Sequence, residues 1–399
     1  MARWIHFRLK GCQGERAQAT LPDPETFSVD ACRSRSKADR ALLVLLAILI
    51  WVPSFSAATP TEPEFKPPTG ISADIWSYFV PKDNPLTSAK IELGKKLFFD
   101  PRLSADGTVS CSSCHDPNRG FADGRRLAIG VGGRFGSRNT PTVLNAMFSS
   151  TLFWDGRVDS LEAQALEPLV NPDEMGNATH ADVVSRVATL DDYNLQFNRV
   201  FGRNVNIDAI SKAIAAYERT LVSANSPYDR FLTGDRNALN EGAQRGLTLF
   251  RGKARCSVCH SLNASFPFFT DGNYRNTGVA GNFANFDALI RSATGTTPDA
   301  RALTNHDAKS ALGRFAVTGN AIDIGSFRTP MLRNIELTAP YFHDGSAATL
   351  ADVVRYYARG GNENASRDWE LQSVNLTESE QLDLIDFLKS LTSDDMKPH

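Results

Sequence analysis

Two pentapeptides of the form C-x-x-C-H, Cys111-Ser-Ser-Cys114-His115 and Cys256-Ser-Val-Cys259-His260, constrain this chain more than any other feature. At this composition chance supplies about 0.002 such pentapeptides. Two thiols three positions apart on a helical turn can reach both vinyl groups of one porphyrin, and the next residue puts an imidazole on the iron. The spacing therefore predicts two covalent c-type haem attachment sites. A structural disulfide or a thioredoxin-like redox motif gives no reason for a His directly after the second Cys, twice. Zinc could use Cys and His ligands, but pairs separated by 145 residues suit two independent sites better.

The surroundings of the two motifs also repeat. Gly94-x-x-Leu97-Phe98 precedes the first and Gly246-x-x-Leu249-Phe250 the second, so each follows the same kind of amphipathic helix. Ile210, Ile214, Tyr217 and Leu221 recur at helical spacing, as do Leu239, Ala243, Leu247 and Phe250. Thr377 and Glu380 form a capping box that opens a helix through Leu382, Ile385, Phe387 and Leu388. Few stretches alternate like strands, so the expected fold class is all-α, with two cytochrome c-like domains and one covalently bound c-type haem in each. Turn residues between Ser223 and Arg236 interrupt two helices and place the boundary near residue 230, giving domains 59–230 and 231–399. At 399 residues, two domains is also the prior from length. Lys+Arg 43 against Asp+Glu 45 is far from the basic balance that nucleic-acid binding needs.

The N-terminal 58 residues read as a targeting segment. Arg33, Arg35, Lys37 and Arg40 precede the apolar run Ala41 to Val52, and Ser56-Ala57-Ala58 follow it. Twelve apolar residues are too few to span a bilayer, and the order is that of a signal peptide cleaved after Ala58. The expected location is the periplasm, with no stable membrane span in the mature protein. Some forty residues before the apolar run is long for the basic region, which suggests a start codon called too far upstream. Cleavage removes eight basic and five acidic residues and leaves 35 against 40, a mildly acidic chain.

Two longer stretches carry a family resemblance: FWDGRVDSLEAQALEPLVNPDEMG from Phe153 to Gly176, and FRTPMLRNIELTAPYFHDG from Phe327 to Gly345. With both haem motifs they make the chain resemble the bacterial dihaem cytochrome c peroxidase/MauG family over essentially all of residues 70–392. The resemblance implies a peroxidatic haem in the N-terminal half, an electron-transfer haem in the C-terminal half and a calcium ion between them. By the same resemblance Trp154 matches the tryptophan between the haems, Gln164 and Glu174 match peroxide-pocket residues, and Pro168 lines that pocket. Asn139, with the backbone carbonyls of Thr338 and Pro340, matches the calcium position, an all-oxygen set suited to a hard cation. A haem held by one proximal His leaves a face open to peroxide, where a carboxyl group such as Glu174 can move the proton that makes water a leaving group.

Two departures from the family pattern matter. Many family members carry a His sixteen residues after the proximal His, blocking the peroxidatic iron. Here that position is Val131, and Ala128 to Arg138 contains no His. The N-terminal haem is therefore expected to be five-coordinate or water-bound when oxidised. Typical members place an axial Met fourteen residues after the His of the Tyr-Phe-His-Asp-Gly motif, whereas fourteen after His343 is Tyr357. Thr349 and Asp352 start a helix on which Leu350, Val353 and Tyr357 share one face, with Tyr356 turned about 100° away. Tyr357 is thus the expected ligand of the second iron, with Met331 read as packing and His343 as structural. A phenolate is a hard donor that lowers the potential and favours high-valent iron.

These features imply a periplasmic dihaem oxidoreductase that reduces hydrogen peroxide at the His115 haem, with electrons from a small cytochrome c or cupredoxin arriving through the His260 haem and Trp154. A MauG-like oxidation of residues in a partner protein through high-valent haem is the alternative that Val131 and Tyr357 favour. A non-catalytic dihaem electron carrier is a third reading. No His, Met or Lys lies between Pro117 and Pro141 to close the first iron, which argues against it. Relatives are often homodimers.

Overall fold

The computed structural model describes residue 67 and residues 70–283, 286–293, 310–364 and 366–396. The apolar run Ala41 to Val52 and the expected cleavage position lie outside the described residues. Among the described residues no helix is long and apolar enough to cross a membrane.

The chain is mostly helical, as its periodicity predicts. Seven helices frame the site: α1 (Ser88–Phe99), α2 (Leu161–Val170), α3 (Ile207–Glu218), α4 (Pro227–Leu232), α5 (Glu241–Arg251), α6 (Leu350–Ala358) and α7 (Glu378–Lys389). Each begins where a side-chain oxygen accepts a backbone N–H that the helix itself leaves unpaired; the caps are Thr87, Ser160, Asn206, Ser226, Asn240, Thr349 and Thr377. The reciprocal capping boxes Thr349/Asp352 and Thr377/Glu380 both form. Among the described residues the only strands are β1 (Tyr274–Arg275) and β2 (Phe327–Arg328), an antiparallel pair with Tyr274 opposite Arg328.

The Gly-x-x-Leu-Phe repeat has a packing cause. A Cβ at Gly94 would stand 1.8 Å from the Ala213 carbonyl oxygen of α3, and one at Gly246 would stand 1.9 Å from the Asp383 carbonyl oxygen of α7. Each glycine therefore lets two helix backbones touch, α1 on α3 and α5 on α7. Leu97 and Phe98 then enter a core with Ile210 and Ala213, and Leu247 and Phe250 enter a second core with Leu384 and Phe387. Gly246→Ala is expected to lower stability by about 3 kcal/mol, the upper end for overpacking, because backbone must move rather than a side chain. Gly281→Ala, with nothing within 4 Å, should stay within about 0.5 kcal/mol. Denaturant unfolding of the haem-loaded variants checks the pair, and equal midpoints would refute the crossing argument.

Two sequence expectations are modified. Ser223 to Arg236 is turn-rich, yet it contains α4, because Ser226 and Asp229 act as a capping box rather than as turn residues. Ser226 and Tyr228 are buried, and Asp229 forms a bidentate pair with Arg333 at 2.7 and 2.8 Å. Burial alone would raise the Asp229 pKa, but the Arg333 guanidinium overrides it and holds the carboxyl below its ordinary value. Leu382, expected on the apolar face of α7, is 63% exposed; Asp383, paired with Arg245, takes a buried position instead.

Candidate active site

Each C-x-x-C-H motif sits on a short helical turn, Cys111–Cys114 in one case and Cys256–Val258 in the other. In both, the imidazole is held through Nδ1. His115 Nδ1 donates to the Phe121 carbonyl at 3.1 Å and His260 Nδ1 to the Phe269 carbonyl at 2.8 Å. With Nδ1 as the donor, Nε2 carries the lone pair a metal takes. Phe121 and Phe269 reach these positions with φ of 57° and 56°, a left-handed backbone that aromatic residues rarely adopt. Their buried rings hold the strain and so aim both carbonyls. Burial lowers the pKa of both histidines, which favours the neutral, metal-binding form.

The four cysteines are free thiols, and burial pushes Cys114 and Cys256 up to about 12 and Cys259 to about 11. Such thiols are not poised as the reactive thiolates of a redox centre. No group of three or more His, Cys, Asp or Glu among the described residues could hold a metal ion. Free thiol pairs beside an oriented imidazole fit a c-type haem instead.

Both motifs open on one cavity of about 410 Å³. It is lined by Cys114 and His115 and also by Cys256, Cys259 and His260. Trp154, Gln164, Pro168 and Glu174 line it, as do Tyr357, Asn139, Thr338 and Pro340, so every site residue expected from sequence borders it except Cys111. Cys111 packs against the first core.

Glu174 is presented by a tight loop. The Asn171 side chain accepts from the Asp173 N–H at 3.0 Å and donates to Glu174 Oε1 at 2.9 Å, and the Val131 N–H donates to the Glu174 carbonyl at 2.9 Å. The approach needs Gly130, where a Cβ would meet the Asp173 and Glu174 carbonyl oxygens at 2.2 and 2.4 Å. Burial raises the Glu174 pKa, with Arg157 opposing, so the protonated acid is favoured relative to an exposed glutamate. The Val131 side chain is buried in the first core and does not border the cavity.

The Trp154 indole donates to the Asn139 carbonyl at 2.9 Å, and the Asn139 N–H donates to the His343 carbonyl at 2.8 Å. Asn139 Nδ2 donates to the Arg125 carbonyl at 2.8 Å, and the residue borders the cavity. The oxygens of Asn139, Thr338 and Pro340 are all neutral, a set compatible with calcium but without the carboxylates of tight sites.

An internal repeat joins the two halves. Thr140-Pro141 and Asn145 correspond to Thr329-Pro330 and Asn334, with both asparagines left-handed. Phe153-Trp154-Asp155-Gly156 corresponds to Phe342-His343-Asp344-Gly345, again with both phenylalanines left-handed. Counting on from the caps Ser160 of α2 and Thr349 of α6, Pro168 occupies the position that Tyr357 holds in the other half. Both residues line the cavity. Tyr356 turns away as predicted, and its hydroxyl donates to the Thr277 carbonyl at 2.9 Å. Burial pushes the Tyr357 phenol well above its ordinary pKa; binding to a cation reverses such a preference. His343 is buried and stacked on Phe327 at 3.5 Å, and burial depresses its pKa to about 3, so it is a neutral packed ring. The repeated T-P and F-x-D-G strings were the sequence signal for this equivalence, which the spacing of the haem motifs did not disclose.

A family model for the di-haem cytochrome c peroxidases matches residues 88–237. The chain is 38% identical over 317 residues to the methylamine utilization protein MauG of Methylorubrum extorquens, covering 79% of this chain and 81% of that one. It is 40% identical over 304 residues to the cytochrome c551 peroxidase of Nitrosomonas europaea, covering 76% and 80%. Among solved structures, a MauG-like protein associated with microbial copper homeostasis superposes with a TM-score of 0.67 at 36% identity, over 79% of this chain and 93% of the other.

Proposed function

We propose, from the premise that the chain belongs to the dihaem cytochrome c peroxidase/MauG family and is an oxidoreductase of the peroxidase type, that hydrogen peroxide is reduced on the side of the cavity bordered by His115, Gln164 and Glu174. The observation that carries this is Glu174 itself, a half-buried acid with a raised pKa on the same cavity wall as an imidazole-bearing haem motif. When bound, a c-type haem supplies the iron that takes peroxide and the electrons that split its O–O bond. His115 would hold that iron, with Cys111 and Cys114 as thioether anchors, and His260 with Cys256 and Cys259 would hold the second. Glu174 delivers a proton to the departing oxygen, which leaves as water. Gln164 offers an amide donor at the same wall, and Pro168 places no donor atom there. Tyr357, at the equivalent position of the other half, would hold the second iron together with His260. Trp154 stands by the shared wall as the route for reducing equivalents entering from the His260 side.

Several finer assignments belong to the same reading: domains 59–230 and 231–399, calcium at Asn139, Thr338 and Pro340, and export to the periplasm by a segment ending at Ala58. A small cytochrome c or cupredoxin serves as donor. Val131 and Tyr357 favour a second reading, in which residues of a partner protein supply the electrons as the MauG resemblance implies.

The test is an EPR and optical spectrum of the oxidised, haem-loaded protein beside Tyr357→Phe and Tyr357→Met, followed by peroxide turnover with reduced cytochrome c or cupredoxin. One high-spin signal and one low-spin signal altered by the Tyr357 changes are expected. Two low-spin signals indifferent to Tyr357 would overturn the ligand assignments and favour a carrier. Turnover with small donors decides for the peroxidase; a correct spectrum without it favours the partner-protein reading.

A further inference from the structure

Tryptophan and tyrosine carry the most readily oxidised aromatic rings, and among the described residues two of them stand far out of the core: Tyr78 is 82% exposed and Trp369 is 76% exposed. Holding an indole in water forgoes the burial that a large aromatic ring would otherwise gain. The two sites differ in what lies behind them. Neither Ser77 nor Phe79 borders the cavity, whereas Asp368 and Glu370, on either side of Trp369, both do, as do Leu371 and Gln372. The Cys259 thiol, whose pKa burial raises most, also feels the charges of Asp368 and Glu370, so this turn lies against the second haem motif. The turn is tied down at Asp368. Its N–H donates to the Asn276 carbonyl at 2.9 Å, and its carboxylate accepts from Arg275 at 3.0 Å and from the Glu370 N–H at 3.0 Å. Trp369 thus has its backbone neighbours at the cavity wall and its ring in solvent. The other described tryptophans differ: Trp76 is buried and Trp154 lines the cavity itself.

We propose that Trp369 is the surface relay through which a protein electron donor reaches the second haem. A protein cannot enter a cavity of about 410 Å³, so its electrons must cross the wall. Reducing one peroxide to two waters takes two electrons and two protons. In each of two one-electron steps the Trp369 ring gives an electron inward and takes one from the donor, which is oxidised while the ring ends unchanged. The two protons come from solvent on the Glu174 side. This inference rests on the peroxidase reading, which peroxide consumption tests by itself.

The test mixes the full haem-loaded protein with hydrogen peroxide in the absence of a donor. The ring then supplies the electrons itself, and tryptophan plus peroxide gives hydroxytryptophan and water. Peptide mass spectrometry should find the added oxygen on Trp369 and not on Tyr78, and cyanide, which occupies the iron, should prevent it. Rapid-freeze EPR should show a tryptophan radical that Trp369→Phe removes and Trp369→Tyr replaces with a tyrosyl radical. Reduced cytochrome c should quench that radical, and Trp369→Phe should slow the oxidation of cytochrome c about 10-fold. Peroxide consumption with Trp369 left intact, or oxygen added equally to Tyr78 or in the presence of cyanide, would overturn the proposal. So would a radical that survives in Trp369→Phe or that cytochrome c leaves untouched, and so would equal oxidation of cytochrome c by that variant. A protein that consumes no peroxide would overturn the peroxidase reading and this inference with it.

Discussion

Glu174→Gln is expected to slow peroxide turnover by about 10²–10⁴-fold, the usual contribution of a positioned general acid. The substitution keeps shape and most contacts: a glutamine carbonyl can still accept from Asn171 Nδ2, and the backbone bond from Val131 is untouched. What it removes is the transferable proton. Burial raises the Glu174 pKa, so as pH rises the protonated acid persists to higher pH than an exposed glutamate would. Turnover should therefore fall as pH climbs through the raised value, and this limb should vanish in the variant. Stopped-flow rates of peroxide consumption across pH, with haem content as control, provide the check. An unchanged rate, or the same pH limb in the glutamine variant, would remove Glu174 from proton transfer.

Pro168→Met is the second substitution with a large expected effect. Pro168 stands inside α2, where its missing N–H and ring cost about 3 kcal/mol relative to a good helix former. Methionine there should not weaken the helix. It does put a thioether where Tyr357 stands in the other half. If the thioether occupies the His115 iron about 99% of the time, apparent peroxide affinity falls about 100-fold. The high-spin EPR signal should disappear with it. Retention of that signal at wild-type intensity would mean that Pro168 and Tyr357 are not equivalent positions around their haems.

Much of this architecture is legible in local sequence because its causes are local. Two thiols and an imidazole within five residues, capping boxes at Thr349 and Thr377, and a glycine one turn before Leu97 or Leu249 each act over a helical turn or two. Periodicity could likewise place Tyr357 rather than Tyr356 toward the cavity, since a 100° step separates neighbours on a helix. Residue type was a poorer guide to burial. Leu382 faces solvent while Asp383 beside it is buried, because Arg245, 138 positions away, supplies the charge that makes the carboxylate tolerable.

The remaining features belong to the folded chain. The carbonyls that orient His115 and His260 come from phenylalanines in a backbone conformation their residue type disfavours, held there by buried rings. Asp229 meets Arg333 across 104 positions, and that pair lets the first turn of a helix carry a buried carboxylate within a run of turn-forming residues. Short-range geometry follows from covalent spacing and helical pitch, whereas the pairing of buried charges depends on which distant segments the fold brings together.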